Sequence, residues 1–221
     1  MNIYAICTPS HQQLRDEWFL PTMLDDFEIN ILNVTIEGNG TYREPDFMLA
    51  VRRKASMLKL AIEHNWGRSF LVCDMDIQFF SPVKDRLLAL QGDLDVLAQD
   101  DGPSGLCAGF YVMRANNRTK DLVRVLIQDL AANPLASEQP TFNAASRVSG
   151  ASTGRLPEGF FTPGTRSAKR WQPGMEIEIP DPIWMHHANW TVGVQNKVEQ
   201  LRVVRRLVQS RIAGEPPQSR W

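Results

Sequence analysis

Cysteine is scarce: Cys7, Cys73 and Cys107 are the only three in 221 residues. Odd in number, widely spaced and flanked by apolar residues, they exclude a disulfide framework and a cysteine-ligated metal. They are expected to be buried, reduced thiols of a cytoplasmic protein. No apolar run approaches the roughly 20 residues that cross a bilayer. Residues 1–11 have neither a basic start nor a long apolar stretch, so no signal peptide is expected. An excess of one charge is also missing, since 24 Lys+Arg face 25 Asp+Glu for a formal net charge of −1. That removes the basic footprint of a nucleic-acid binder. Internal repeats and low-complexity tracts are absent as well.

What is present suits a folded α/β protein. Apolar residues make up 43% of the chain and charged residues 22%, enough for a core and too little charge for disorder. The length fits one domain over residues 1–214, with residues 215–221 as a frayed tail.

Apolar patterning predicts a strand at residues 3–7 and another at 27–34, with a loop at Gly38-Asn39-Gly40. Phe47, Val51, Ala55, Leu58 and Ile62 form the apolar stripe of a helix, with Arg52, Arg53, Lys54 and Lys59 on its other faces. The run Phe70-Leu71-Val72-Cys73 suits a strand buried on both sides. A helix at 83–90 follows Ser81-Pro82. Strands at 94–98 and 106–113, a helix around Leu122, Leu126 and Leu130, and a helix at 140–147 come next. Residues 150–174 read as loop, 175–179 as an edge strand, and 198–212 as a last helix. This order predicts a mainly parallel sheet with helices on both faces.

The chemistry concentrates at Asp74-Met75-Asp76. Residues two apart in an extended chain point to one side, into the crevice where open α/β sheets bind ligands. Two convergent carboxylates call for a cation, and a hard divalent metal supplies one that can also hold phosphate oxygens. A histidine-rich segment, His186-His187-Ala188-Asn189-Trp190, leads to Gly193 and Lys197 ahead of the last helix. An imidazole completing the site tilts the metal from Mg²⁺ toward Mn²⁺. Gly193 permits close backbone approach to a phosphate, and Lys197 offers a point charge. Glu138-Gln139-Pro140-Thr141-Phe142-Asn143 brings a carboxylate and an amide to a helix start. Each segment also has a plain structural explanation: solvated aspartates, a polar helix start, and helix capping.

Together these segments resemble the nucleotide-diphospho-sugar glycosyltransferases of GT-A fold, in particular the group with plant cell-wall xylosyl- and arabinosyltransferases. The resemblance runs in order through Arg53, Lys54 and Lys59, the Asp74-Met75-Asp76 strand, Ala108-Gly109-Phe110-Tyr111-Val112-Met113-Arg114, Glu138 to Asn143, and His187-Ala188-Asn189 with Gly193 and Lys197. It departs at Glu138, where the family usually has Asp, and at Cys107, where Asn is common.

The resemblance implies a GT-A fold and transfer from a UDP-sugar or similar donor to a glycan or other hydroxyl acceptor. It implies that Asp74, Asp76 and His187 hold Mn²⁺ or Mg²⁺. Thr8, Arg53, Lys54, Asn189 and Gly193 would contact the nucleotide sugar. Lys197 would neutralise the leaving diphosphate. Glu138, Gln139, Asp100 and Asp101 would line the sugar and acceptor side. The group generally retains anomeric configuration, whereas an inverting enzyme would need a carboxylate base, for which Asp100, Asp101 and Glu138 are available.

Two rival readings exist. Haloacid-dehalogenase-like phosphatases also set Asp-x-Asp after an apolar strand, but near the N-terminus and without a residue like Gln78. A degenerate, non-catalytic sugar-nucleotide scaffold is the other. Arg202, Arg205, Arg206 and Arg211 on the last helix suit either a solvated face or peripheral membrane contact. Trp190 is the best-placed tryptophan to stack on a sugar.

Overall fold

A computed structural model describes residues 1–36, 45–133, 135–165 and 169–214, without the side chains of 45 and 46. The expected Gly38-Asn39-Gly40 loop and the expected tail, 215–221, lie outside the described residues.

Six strands form the main sheet: β1 (Asn2–Cys7), β2 (Glu28–Asn33), β3 (Ser69–Cys73), β5 (Val96–Asp100), β6 (Leu106–Arg114) and β7 (Thr153–Arg155), in the order β2-β1-β3-β6-β5-β7. β6 runs antiparallel to both its neighbours, and the other pairings are parallel. A small sheet joins β4 (Ile77–Phe79), β9 (Met185–His187) and β8 (Phe160–Phe161).

Strand alternation divides the core into two layers. Phe70, Val72, Tyr111 and Met113 face α1 (Pro45–His64), α3 (Asn117–Ala132) and α4 (Glu138–Val148). Leu71, Cys73, Phe110 and Val112 face the helical turns of residues 12–22, α2 (Lys84–Gln91) and α5 (Val194–Ile212). All three cysteines are free and buried. No helix among the described residues is long and apolar enough to cross a membrane.

The mixed α/β architecture is the one expected, with differences in detail. Residues 175–179 form a loop rather than an edge strand. Pro173, Pro180 and Pro182 bracket this stretch and cut short any ladder on either side of it, and its isoleucines pack on Phe161, Val204 and Val208 instead. β4, β7, β8 and β9 were not expected, β7 and β8 falling in the stretch read as loop: two or three residues each, they carry too little periodicity to register. The last helix begins at Val194, one turn earlier than the apolar pattern suggested.

Asp95 locks the end of the sheet that carries β7. Its buried carboxylate accepts from Arg118 Nε at 2.7 Å, Asn116 Nδ2 at 2.7 Å, and Ser152 N and Oγ at 2.8 Å. Burial pushes its pKa up, but these donors, Arg118 foremost, hold it well below the usual carboxylate range. Its stabilisation is therefore present above about pH 4, the ordinary unfolded aspartate value, and is lost as pH falls toward the folded value. Asp95→Ala leaves these donors without their acceptor and should cost about 2–4 kcal/mol in urea denaturation at pH 7. The loss should shrink as pH falls below about 4, where the wild-type carboxylate protonates on unfolding. A pH-independent difference would remove Asp95 from this role.

Candidate active site

Chain topology places the site. From β1 the chain goes to β2 on one side and, through α1, to β3 on the other, so the carboxyl ends of β1 and β3 flank a switch in strand order. Thr8 follows β1, and Asp74 follows β3. Met75 turns inward to the core, while Asp74 and Asp76 both face the crevice.

His187 reaches them through strand pairing. In the small sheet Ile77 lies opposite His187, and Ala188 N donates to Asp76 O at 2.8 Å. His187 Nε2 is 3.3 Å from Asp76 Oδ1 and 3.9 Å from Asp74 Oδ2. One ligand atom from each residue lies within 4.8 Å of the other two. On its far side His187 Nδ1 meets Gln99 Oε1 at 2.8 Å. That bond places a proton on Nδ1 and aims Nε2 at the carboxylates, as a metal-ligating imidazole requires. Gly109 makes the approach possible. A Cβ there would meet Asp74 Oδ2 at 2.4 Å and His187 Cε1 at 2.6 Å.

Charge around the pair is balanced locally. Lys54, 2% exposed, donates to Asp74 Oδ1 at 2.7 Å and Ala108 O at 2.8 Å, and lies 3.3 Å from Glu138. Burial alone would push this ammonium down, but Asp74 and Glu138 outweigh it and hold it well above the usual lysine range. Burial raises Glu138 to about 7, with Lys54 opposing and Asp74 reinforcing. Lys197 Nζ sits 2.5 Å from Asp76 Oδ2. Burial would raise Asp76, yet Lys197 and His187 keep it well below the carboxylate range. Burial would lower His187, but Asp76 lifts it to about 10.

A cavity of about 810 Å³ opens from this cluster. Asp74, Asp76, His187, Lys197, Glu138, Gln139, Asp101, Asn189 and Gly193 all line it. A neighbouring pocket of about 120 Å³, with Thr8, Phe47 and Val51 in its walls, shares Asp74, Asp76 and Lys197. Asp101 sits deep, accepting from Gln139 Nε2 at 2.7 Å, Trp190 Nε1 at 2.7 Å and Asn189 Nδ2 at 3.1 Å.

Several expected residues stand elsewhere. Asp100 does not line either pocket; it is drawn away by Arg155 and caps Gly102 N at 3.0 Å. The cause is a register irregularity between Ala98 and Asp100, which re-aims the strand end so that only Asp101 faces inward. Arg53 lies on the exposed face of α1, outside both pockets. Lys54, read as one of the residues on the polar faces of α1, is buried beneath Asp74. Trp190 binds Asp101 through its indole and packs over Gly164, where a Cβ would come within 2.1 Å of the ring.

The arginines of α5 are engaged within the protein. Arg202 and Arg206 pair with Glu199. Arg205 stacks 4.1 Å over Trp18 and donates to Gln78. Arg211 donates to the carbonyls of Ile179 and Pro180.

Sequence reasoning missed Gln99 and His11. Gln99 is completely buried in an apolar strand, and a polar residue at such a position is itself a signal. His11 lines both pockets and meets Thr8 Oγ1 at 2.8 Å. Burial lowers its pKa, with Lys197 adding to the effect.

Gln99→Leu should release the His187 ring and weaken any divalent-cation binding at the Asp74, Asp76 and His187 cluster about 10- to 100-fold, the usual effect of losing a ligand's orienting partner. Calorimetric titration with Mn²⁺ measures it, and unchanged affinity in the folded variant would refute the assignment.

Comparison with known proteins bears on this arrangement. A model of the nucleotide-diphospho-sugar transferase family matches residues 10–201. No curated protein matches the sequence. Among solved structures, a glycosyltransferase involved in glycosylation of the major capsid of PBCV-1 superposes with a TM-score of 0.59 at 10% identity, over 91% of this chain and 98% of that one. The galactosyltransferase LgtC, solved with donor and acceptor sugar analogs, gives 0.52 at 10% identity, over 85% and 86%. The glycosyltransferase GlyE of Streptococcus pneumoniae TIGR4 gives 0.53 at 11% identity, over 99% of this chain but 65% of GlyE. At these identities the likeness establishes a shared fold, that of the GT-A glycosyltransferases.

Proposed function

The chain belongs to the nucleotide-diphospho-sugar transferase family, and from that premise we propose that it moves a sugar from a UDP-sugar to a glycan hydroxyl with retention of configuration. The observation that carries this reading is the convergence of Asp74, Asp76 and His187 at the mouth of the cavity. Two hard carboxylates and one imidazole form a donor set that suits Mn²⁺. Gly109 leaves room for the set and Gln99 aims it, its oxygen on His187 Nδ1 at 2.8 Å while its amide donates to Phe160 O at 3.0 Å. Bound at these residues, Mn²⁺ would supply positive charge to the donor's two phosphates.

The remaining steps fall to the chain. Thr8 and the smaller pocket would take the nucleoside. Lys197, in the first turn of α5 with Gly193 just ahead of it, would hold the diphosphate as its negative charge grows. Asp101, Gln139 and Asn189 would orient the sugar. Retention is favoured because every carboxylate lining the cavity, among the described residues, is already partnered. Asp101 is held by three neutral donors, Glu138 by Lys54, Asp74 by Lys54, and Asp76 by Lys197 and His187. Glu138, raised to about 7, is the one with the basicity an inverting reaction would use, and Lys54 competes for it. A phosphatase would need its second aspartate open to a leaving group, and Asp76 is 2% exposed between His187 and Lys197. The buried free thiols suit a reducing compartment, so cytoplasmic residence belongs to the same proposal, with residues 1–214 acting as one unit.

A thermal-shift screen of nucleotide sugars with and without Mn²⁺ identifies the donor, since a ligand at 100 times its Kd adds about 2.7 kcal/mol. Asp76→Ala should abolish the Mn²⁺-dependent shift while leaving the chain folded, and EDTA should do the same to the wild type. Equal donor affinity with EDTA would sink the metal reading. Donor binding without hydrolysis or transfer would instead mark a scaffold.

Lys197→Ala should lower kcat for donor hydrolysis about 10²–10³-fold and raise the donor KM far less, because contacts to a departing group strengthen in the transition state. Lys197→Arg should recover only part of the rate. Near wild-type kcat in the alanine variant would remove Lys197 from the mechanism.

A further inference from the structure

The cavity does not end at the sugar-facing residues. Arg147, on the last turn of α4, and Arg155, the last residue of β7, line both the main cavity and a side pocket of about 280 Å³. None of Asp74, Asp76 and His187 borders that side pocket, which meets the main cavity at Asn143, Arg147 and Arg155. Its remaining walls are neutral: Leu106, Asn143, Ser146, Ala151, Thr153 and Gly154. Arg170 also lines the main cavity.

The charge pattern is one-sided. Among the described residues Asp100 meets this wall through its ion pair with Arg155. Asp101 faces Gln139, Asn189 and Trp190 instead, and Glu138 faces Lys54. Arg147 and Arg155 are both exposed, and their planar forks match the oxygens of a carboxylate or phosphate. A cavity for a neutral glycan has no need of two guanidinium groups in its wall.

We infer that the side pocket between α4 and β7 is an acceptor subsite for an anionic group, a phosphate or a carboxylate carried by the acceptor saccharide, gripped by Arg147 and Arg155. This rests on the transferase reading for the word acceptor, while the anion site itself rests on the two arginines. Asp100 acts as an internal competitor that occupies Arg155 until the acceptor's anion displaces it.

The test compares three probes of like ring structure, namely glucose, glucuronate and glucose 6-phosphate. Each is titrated by calorimetry into the full chain saturated with Mn²⁺ and UDP, which keep phosphate from the donor end. At least one charged sugar should bind about tenfold more tightly than glucose, as expected of charge-assisted bonds on an exposed site. The margin should narrow as salt is raised. Preference for glucuronate identifies a carboxylate acceptor, and preference for glucose 6-phosphate a phosphorylated one. Arg147→Gln, at an exposed position that should not perturb folding, should reduce the preference, and the double variant with Arg155→Gln should erase it. Asp100→Asn should increase it by freeing Arg155, an opposite sign that general destabilisation would not produce. Equal binding of all three sugars, binding of none, or a preference surviving the double variant overturns the proposal. Failure of UDP to bind would count against the donor reading alone, since the anion preference is read at Arg147 and Arg155.

Discussion

Two carboxylates one residue apart at the end of a strand set the terms for the rest of this molecule. Asp76 is almost fully buried and cannot be left to water, while Asp74 is only partly exposed and shares its hydration with Lys54. The chain answers from three directions. α1 sends Lys54 beneath Asp74, where a carbonyl of β6 also holds it. α5 sends Lys197 against Asp76, and β9 sends His187 between them. Each cation ties a separate element to the sheet end, so positioning the charges and positioning the elements are one problem. Removing one partner of such a buried set exposes the whole desolvation penalty of the other.

The small sheet is the mechanical counterpart. Pairing of β4 with β9 places His187 beside Asp76, and Gln78 then anchors α5. Its amide donates to Leu201 O at 2.9 Å and its oxygen accepts from Arg205 at 3.2 Å. The same helix thus delivers Lys197 to the site and is docked by residues that follow the aspartates in sequence. Gly109 contributes by subtraction, leaving room for both acid and imidazole.

Much of this was legible in the sequence wherever chemistry and local order coincide. An apolar run followed by Asp-x-Asp has few interpretations, and His187 and Lys197 gain meaning by following it in order, although each also suits a polar helix start. The order of strands and helices likewise follows from periodicity. What escaped depends on tertiary facts. Lys54 and Arg53 are neighbours on one helix, and only the rotation of α1 on the sheet decides which is buried. Asp100 and Asp101 were both expected at the site, and a one-residue irregularity that no pattern announces leaves only Asp101 there. The alternation of residues 175–179 is real, but flanking prolines and the absence of a partner edge leave it a loop. Strands of three residues, such as β4 and β9, form because the surrounding structure brings them together.

The separation of the site's parts along the chain bears on how the protein comes into being. Asp76 and Lys197 are 121 residues apart, and Gln78 contacts Leu201 across 123. A nascent chain that has emerged through α4 already holds β1, β3, β6 and α1, together with Lys54 and Asp74. It still lacks His187 and Lys197, so Asp76 can remain hydrated only while that edge stays open. The first part of the chain can collapse early on ordinary apolar contacts, but the reactive end closes only when the last helix leaves the ribosome and docks. The site is therefore assembled only after α5 has been made, and a chain cut short before β9 carries Asp76 without the His187 and Lys197 that make its burial tolerable.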